Sequence, residues 1–175
     1  MVKRLFRIAV VIVLSTSTML AGANQRQGDR FTERIRKELA KIPYSGVYDN
    51  LAFEVNGSTV ILSGQVTRPS TRKEAERRVK RIEGVDRVIN NIQVLPVSPM
   101  DDRIRRQVLR AVSRSGGLYR YFLGANPSIR IIVNRGHVTL EGVVANKMDS
   151  QLAYMAASQV PGVFSVTNNL RVERG

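Results

Sequence analysis

Apolar positions follow two alternating periods along this chain, and the whole alternation is written twice. Phe53 and Val55, then Val60 and Leu62, fall at every second position around Asn56-Gly57-Ser58. That period of two, broken by turn residues, predicts a β-hairpin with one buried face. Ile131 and Val133, Asn134-Arg135-Gly136, and Val138 and Leu140 repeat it. Ahead of the second hairpin, Ile104, Val108 and Val112 stand at helical spacing with Leu109 and Ala111 alongside, predicting a helix over about 101–115. Asp101 and Asp102 suit its positive N-terminal end. The corresponding helix of the first copy is predicted over about 30–42. A second helix starts near Pro69, or Asn146, and stops at Gly84, or Gly162, as glycine readily takes a left-handed cap. The last predicted strand is Val85–Val94, or Val163–Val172.

The repeat has a fixed offset over most of its length. Val60-Ile61-Leu62-Ser63-Gly64-Gln65-Val66 lies on Val138-Thr139-Leu140-Glu141-Gly142-Val143-Val144 at an offset of 78. The same offset carries Asn90-Asn91-Ile92 and Val94 onto Asn168-Asn169-Leu170 and Val172. Upstream it falls to 69, pairing Ile35 with Ile104 and Leu39 with Val108, so the second copy holds nine extra residues after its first helix.

Each copy reads α-β-β-α-β. A helix between the second and third strands must cross over, so those strands are parallel where they are neighbours. The expected fold class is α+β: two tandem units, each a three-stranded mixed sheet with both helices on one face. The expected boundaries are 29–95 for the first unit and 100–174 for the second. Residues 96–99 form a linker whose prolines, Pro96 and Pro99, restrict the relative orientation of the units.

Residues 1–23 read as a secretory signal peptide. Lys3, Arg4 and Arg7 precede the apolar run Ile8–Leu14, and Ala21-Gly22-Ala23 gives the small-x-small pattern for cleavage before Asn24. Ala23 stands where a lipoprotein would carry its acylated cysteine, so the expectation is a cleaved, non-lipidated, periplasmic or secreted protein. The 175-residue chain has 28 Lys and Arg against 14 Asp and Glu, no cysteine and one histidine, His137. Cleavage would leave 25 basic and 14 acidic side chains, net +11. Disulfides, thiolate metal sites, cysteine nucleophiles and multi-histidine metal sites are excluded. No nucleophile–base set can be assembled and no phosphate-binding glycine loop follows a strand. No catalytic residue, metal or cofactor is expected. An exported basic protein is placed to meet anionic headgroups rather than nucleic acid.

The pattern Val-x-Leu-x-Gly-x-Val, a helix, then Gly-Val-x-x-Val-x-Asn-x-(Ile/Leu)-x-Val, at Val60 to Val94 and again at Val138 to Val172, resembles the BON domain (bacterial osmotically inducible and nodulation domain). The resemblance covers essentially the whole chain after the signal segment. It implies the α-β-β-α-β fold, an envelope location, no catalysis and, for dual-BON periplasmic proteins, association with phospholipid membranes.

Two places in the second copy are candidate sites. Arg103, Arg106, Arg110 and Arg114 form one basic row on the first helix, and the extra segment behind it contains Tyr119, Tyr121 and Phe122. Guanidinium groups beside amphipathic rings are the components of an interfacial lipid site. On the second helix, Glu74, Glu76 and Arg77 of copy one become Leu152, Tyr154 and Met155. An apolar outer face marks a contact, here with the first unit or another subunit.

The leading expectation is therefore a non-enzymatic exported protein that binds anionic phospholipid surfaces and supports envelope integrity under stress. The alternative is a protein–protein adaptor in an envelope or peptidoglycan-linked assembly.

Overall fold

In the computed structural model, the structure describes residues 17–43, 45–124 and 126–173, with side chains from residue 28 onward. Residues 1–16 of the expected signal segment lie outside the described residues. Helix α1 spans Ser17–Ala40, followed by β1 (Asn50–Asn56), β2 (Thr59–Val66), α2 (Pro69–Val79), β3 (Arg87–Asn90) and β4 (Gln93–Val94). The second unit runs α3 (Pro99–Arg114), a 3-10 helix (Leu118–Phe122), β5 (Ile129–Asn134), β6 (His137–Val144), α4 (Lys147–Ser158) and β7 (Ser165–Val172). The first helix therefore starts at Ser17 rather than near residue 30. None of the described helices is long and apolar enough to cross a membrane.

Both predicted hairpins form. β1 and β2 are antiparallel with Asn56 opposite Thr59, and β5 and β6 close with Asn134 opposite His137. The crossover helices bring the third strands in parallel, β3 and β4 onto β2 and β7 onto β6. The third strand of the first unit is thus two short pieces instead of one. Asn91 N–H donates to the Leu62 carbonyl and Leu95 N–H to that of Val66, so parallel bonding continues across the break.

One face of each sheet carries both helices. Val60, Leu62 and Val66 of β2 share a core with Ile35 and Leu39 of α1 and Ala75 and Val79 of α2. Val138, Leu140 and Val144 of β6 do the same with Ile104, Val108 and Val112 of α3 and Ala153 and Ala157 of α4. Period two on the strands and three to four on the helices bury these side chains, and no cross-link is needed.

Gly64 and Gly142 mark a close backbone approach inside the second strand of each unit. Their φ values are 106° and 126°, and a Cβ would lie 2.1 Å from the Asn50 carbonyl oxygen or 1.9 Å from that of Ser128. Only glycine fits both the torsion and the space. Asn90, at the end of β3, and Asn168, inside β7, tie the third strand of each unit to its crossover helix. Asn168 Nδ2 donates to the Ser150 carbonyl and hydroxyl (3.1 and 2.9 Å), and Asn90 Nδ2 donates to the Arg72 carbonyl (3.2 Å) and Glu76 (3.0 Å).

Candidate functional site

Helix α3 is built to show charge on one side and bury the other. Ser98 caps it by accepting from Asp101 N–H at 3.2 Å, and Pro99 occupies the first turn, where its missing N–H costs nothing. Asp101 does more than complement the helix dipole. It is 1% exposed, and its two carboxylate oxygens accept from the amides of Arg135 and Gly136, both at 2.9 Å. That bond pair holds the β5–β6 turn, where Arg135 has a φ of 52°.

Arg103, Arg106, Arg110 and Arg114 are all exposed and lie along one side of α3. Between α3 and α4 runs a groove of about 570 Å3. Arg110, Arg114 and Gln107 stand on its α3 side; Leu152, Met155, Ala156 and Val160 supply apolar lining from α4 and the turn behind it. No carboxylate lines it. The structure thus brings Arg110 and Arg114 of the row, and Leu152 and Met155 of the α4 face, to a single groove, while Arg103, Arg106 and Tyr154 lie outside its lining.

The aromatic residues of the extra segment divide. Tyr119 is 60% exposed, as is Leu123 at 64%. Tyr121 is buried, and this removes it from the expected lipid-contacting set. Its hydroxyl donates to Asp149 Oδ2 at 2.5 Å and accepts from Ala145 N–H at 2.8 Å. Arg120 adds a 2.5 Å bond to the same carboxylate oxygen. Phe122 is half-buried against the second core rather than free on the surface. A 3-10 turn pinned by buried Leu118 points these two rings inward, which composition does not reveal.

Leu152 packs on the core of its own unit, whereas Tyr154 and Met155 are exposed. The contact between units is made elsewhere. The segment 46–48 lies along the open edge of β5: Ile131 N–H donates to the Val47 carbonyl at 2.7 Å, and Arg130 Nη1 to that of Gly46 at 2.9 Å. Val47 and Tyr48 pack against the second core. Asp49 shapes this loop, accepting from Thr67 N–H (2.6 Å), Thr67 Oγ1 (2.9 Å) and Gly46 N–H (3.3 Å). Burial lowers the Arg130 guanidinium below its ordinary value, partly offset by Asp49. It also raises the Tyr48 phenol, against the pull of Arg106, Arg105 and Arg110.

Arg105 escapes a reading based on the exposed row. It falls among Ile104, Val108 and Val112, is 4% exposed, and donates to the Val133 carbonyl at 2.7 Å and to Asp102 at 2.5 Å. A cation inside an apolar stripe was the available signal. His137, also a lone candidate for chemistry, is exposed, with Nδ1 2.7 Å from Ser165 Oγ and its ring beside Phe164. Among the described residues no cluster of acidic and histidine side chains is able to hold a metal.

A family model, the BON domain, matches residues 28–96 and 100–174. The chain belongs to the BON domain family and carries the domain twice. The BON domain is a non-catalytic module. No curated protein matches the chain. Among solved structures, it is similar to CdsD, a structural protein of the Type III secretion system of Chlamydia trachomatis, at 13% identity and a TM-score of 0.31, covering 83% of this chain and 93% of that one. The C-terminal domain of CdsD is similar at 12% identity and a TM-score of 0.28, over 81% of this chain and 96% of that one.

Proposed function

We propose that this dual-BON chain is a non-enzymatic envelope protein, exported through a cleaved signal peptide, that binds anionic phospholipid surfaces through its second unit and supports envelope integrity under stress. The observation that carries this reading is the exposed row Arg103, Arg106, Arg110 and Arg114, whose last two members line a groove with apolar walls and no carboxylate. Each basic side chain near an anionic surface is worth about 1 kcal/mol, so the row supplies about 4 kcal/mol. That is weak and salt-sensitive attachment. Tyr119 and Leu123 are exposed to add interfacial area, and Leu152 and Met155 line the groove for the apolar part of a lipid.

Co-sedimentation with phosphatidylglycerol vesicles, set against phosphatidylcholine vesicles, tests the proposal. Binding is expected only with the anionic lipid, weakening as salt rises, and at least tenfold weaker in Arg110→Glu/Arg114→Glu with an unchanged Tm. Equal binding to both vesicle types, or to neither, overturns it. The exposed Tyr154 and Met155 favour, as the second reading, an adaptor that docks a protein partner or a second copy on α4. That reading predicts vesicle-independent self-association or partner binding lost in Met155→Glu.

A further inference from the structure

The end of the second unit formed by the β5–β6 turn and the start of β7 departs from its counterpart in the first unit at three positions, all exposed. At the repeat offset of 78, Arg135 stands for Gly57, His137 for Thr59 and Phe164 for Asp86. A carboxylate is exchanged for a ring, and a guanidinium and an imidazole are added. Phe164 is 77% exposed, and its amide donates to the Gly136 carbonyl at 2.9 Å, which fixes it beside the turn. Two glycines make room for an apolar patch here. A Cβ at Gly136 would collide with the Phe164 ring, and one at Gly162 would lie 2.8 Å from Met100 Cε. The Gly162 carbonyl oxygen is 3.3 Å from that same Gly136 position, so Met100, itself 49% exposed, and Phe164 belong to one patch.

Cations flank this patch. Arg135 is exposed in the turn, and Arg103 is exposed one helical turn beyond Met100. Both acidic residues in the first turn of α3 are engaged: Asp101 is 1% exposed and accepts from the Arg135 and Gly136 amides, and Asp102 is bonded to Arg105. Among the described residues Arg135 is also the one non-glycine residue with a positive φ, 52°, where the first unit has Gly57 at 60°. Glycine would take that torsion freely. A side chain kept at a torsion that disfavours it is a pointer to a task for that side chain. Exposed apolar groups ringed by guanidinium groups are the arrangement that settles at the boundary between anionic headgroups and acyl chains. A stable protein interface takes about 800 Å2 from each partner, far more than two apolar side chains at the end of a unit supply.

We propose that this end of the second unit is a membrane-inserting tip, in which Phe164 and Met100 enter the boundary of an anionic bilayer while Arg103 and Arg135 meet its phosphates. The inference rests on the membrane reading above and adds to it which end of the unit enters the bilayer. Arg103 opens the basic row on α3, and Val160 and Pro161, just before Gly162, line the α3–α4 groove. Tip, row and groove therefore follow one another along the unit. The first unit, with Asp86 and Gly57 at the matching places, has no such tip.

The chain has no tryptophan, so Phe164→Trp reports from this position alone. With phosphatidylglycerol vesicles its emission is expected to shift to the blue and to be quenched by lipids brominated on their acyl chains; with phosphatidylcholine vesicles neither is expected. Phe164→Asp, which restores the residue type of the first unit, is expected to bind phosphatidylglycerol vesicles at least tenfold more weakly with an unchanged Tm, because the side chain it removes is exposed. Arg135→Gly is expected to raise Tm by relieving the torsion and to weaken vesicle binding about fivefold, a pair of effects that a purely structural role for Arg135 would not give. A Phe164→Trp chain that co-sediments with the vesicles without shift or quenching overturns the tip and leaves the membrane reading standing. Undiminished vesicle binding by Phe164→Asp does the same and turns the patch over to a protein contact. If Phe164→Asp fails to fold, Phe164→Trp decides. Failure of the unaltered chain to co-sediment with phosphatidylglycerol vesicles overturns both.

Discussion

The Tyr121 hydroxyl meets the Asp149 carboxylate at 2.5 Å inside the second unit, joining the 3-10 turn to the first turn of α4. Asp149 is 5% exposed, and its carboxylate accepts from Tyr121, Arg120 and Asn146. The extra segment is therefore anchored in the fold through the aromatic residue that composition would send to a membrane.

Tyr121→Phe should cost about 1–3 kcal/mol, because it strips a donor from a buried carboxylate and an acceptor from the Ala145 amide. Chemical denaturation measures the loss. Vesicle binding at a temperature where the variant is folded should be unchanged; a folded variant that loses vesicle binding would restore Tyr121 to the lipid surface.

Gly142→Ala should destabilise the second unit by about 2–4 kcal/mol, since the new Cβ meets the Ser128 carbonyl oxygen at 1.9 Å with φ at 126°. Gly57→Ala, at φ 60° with open space around it, should cost less because only the torsion is unfavourable. Comparing the two melting temperatures checks the distinction between a torsional requirement and a steric one.

Acid should weaken the first unit through Glu76. A hydrogen bond from Lys80, then one from Asn90, lowers its carboxyl below the ordinary 4.5. A group whose folded value lies below its unfolded value stabilises above the unfolded value and loses that contribution as pH falls through the folded one. Stability should therefore decline below about pH 4.5, and Glu76→Gln should flatten that decline in denaturation curves run from pH 6 to 3. The effect is expected to be small because the pair is largely solvated. An identical acid limb in the variant would remove Glu76 from the account.

Much of the architecture was determined by the order of residues alone. Alternation around Asn56-Gly57-Ser58 and Asn134-Arg135-Gly136 dictates hairpins, and a helix separating two strands dictates a parallel return. These are local periods, repeated at an offset of 78, and each copy states them independently. The exposure of the arginine row was legible for the same reason: it lies opposite an apolar stripe on a single helix. What the chain order did not reveal depends on segments distant in sequence. Whether Tyr121 faces in or out is decided by Asp149, 28 positions later. The groove beside Arg110 and Arg114 exists only once α4 lies against α3. The seam between the units forms only where Gly46–Tyr48 meets the edge of β5, more than 80 positions away. A periodic pattern specifies which face of an element is buried; it carries no information about which distant hydrogen-bonding group that face will meet.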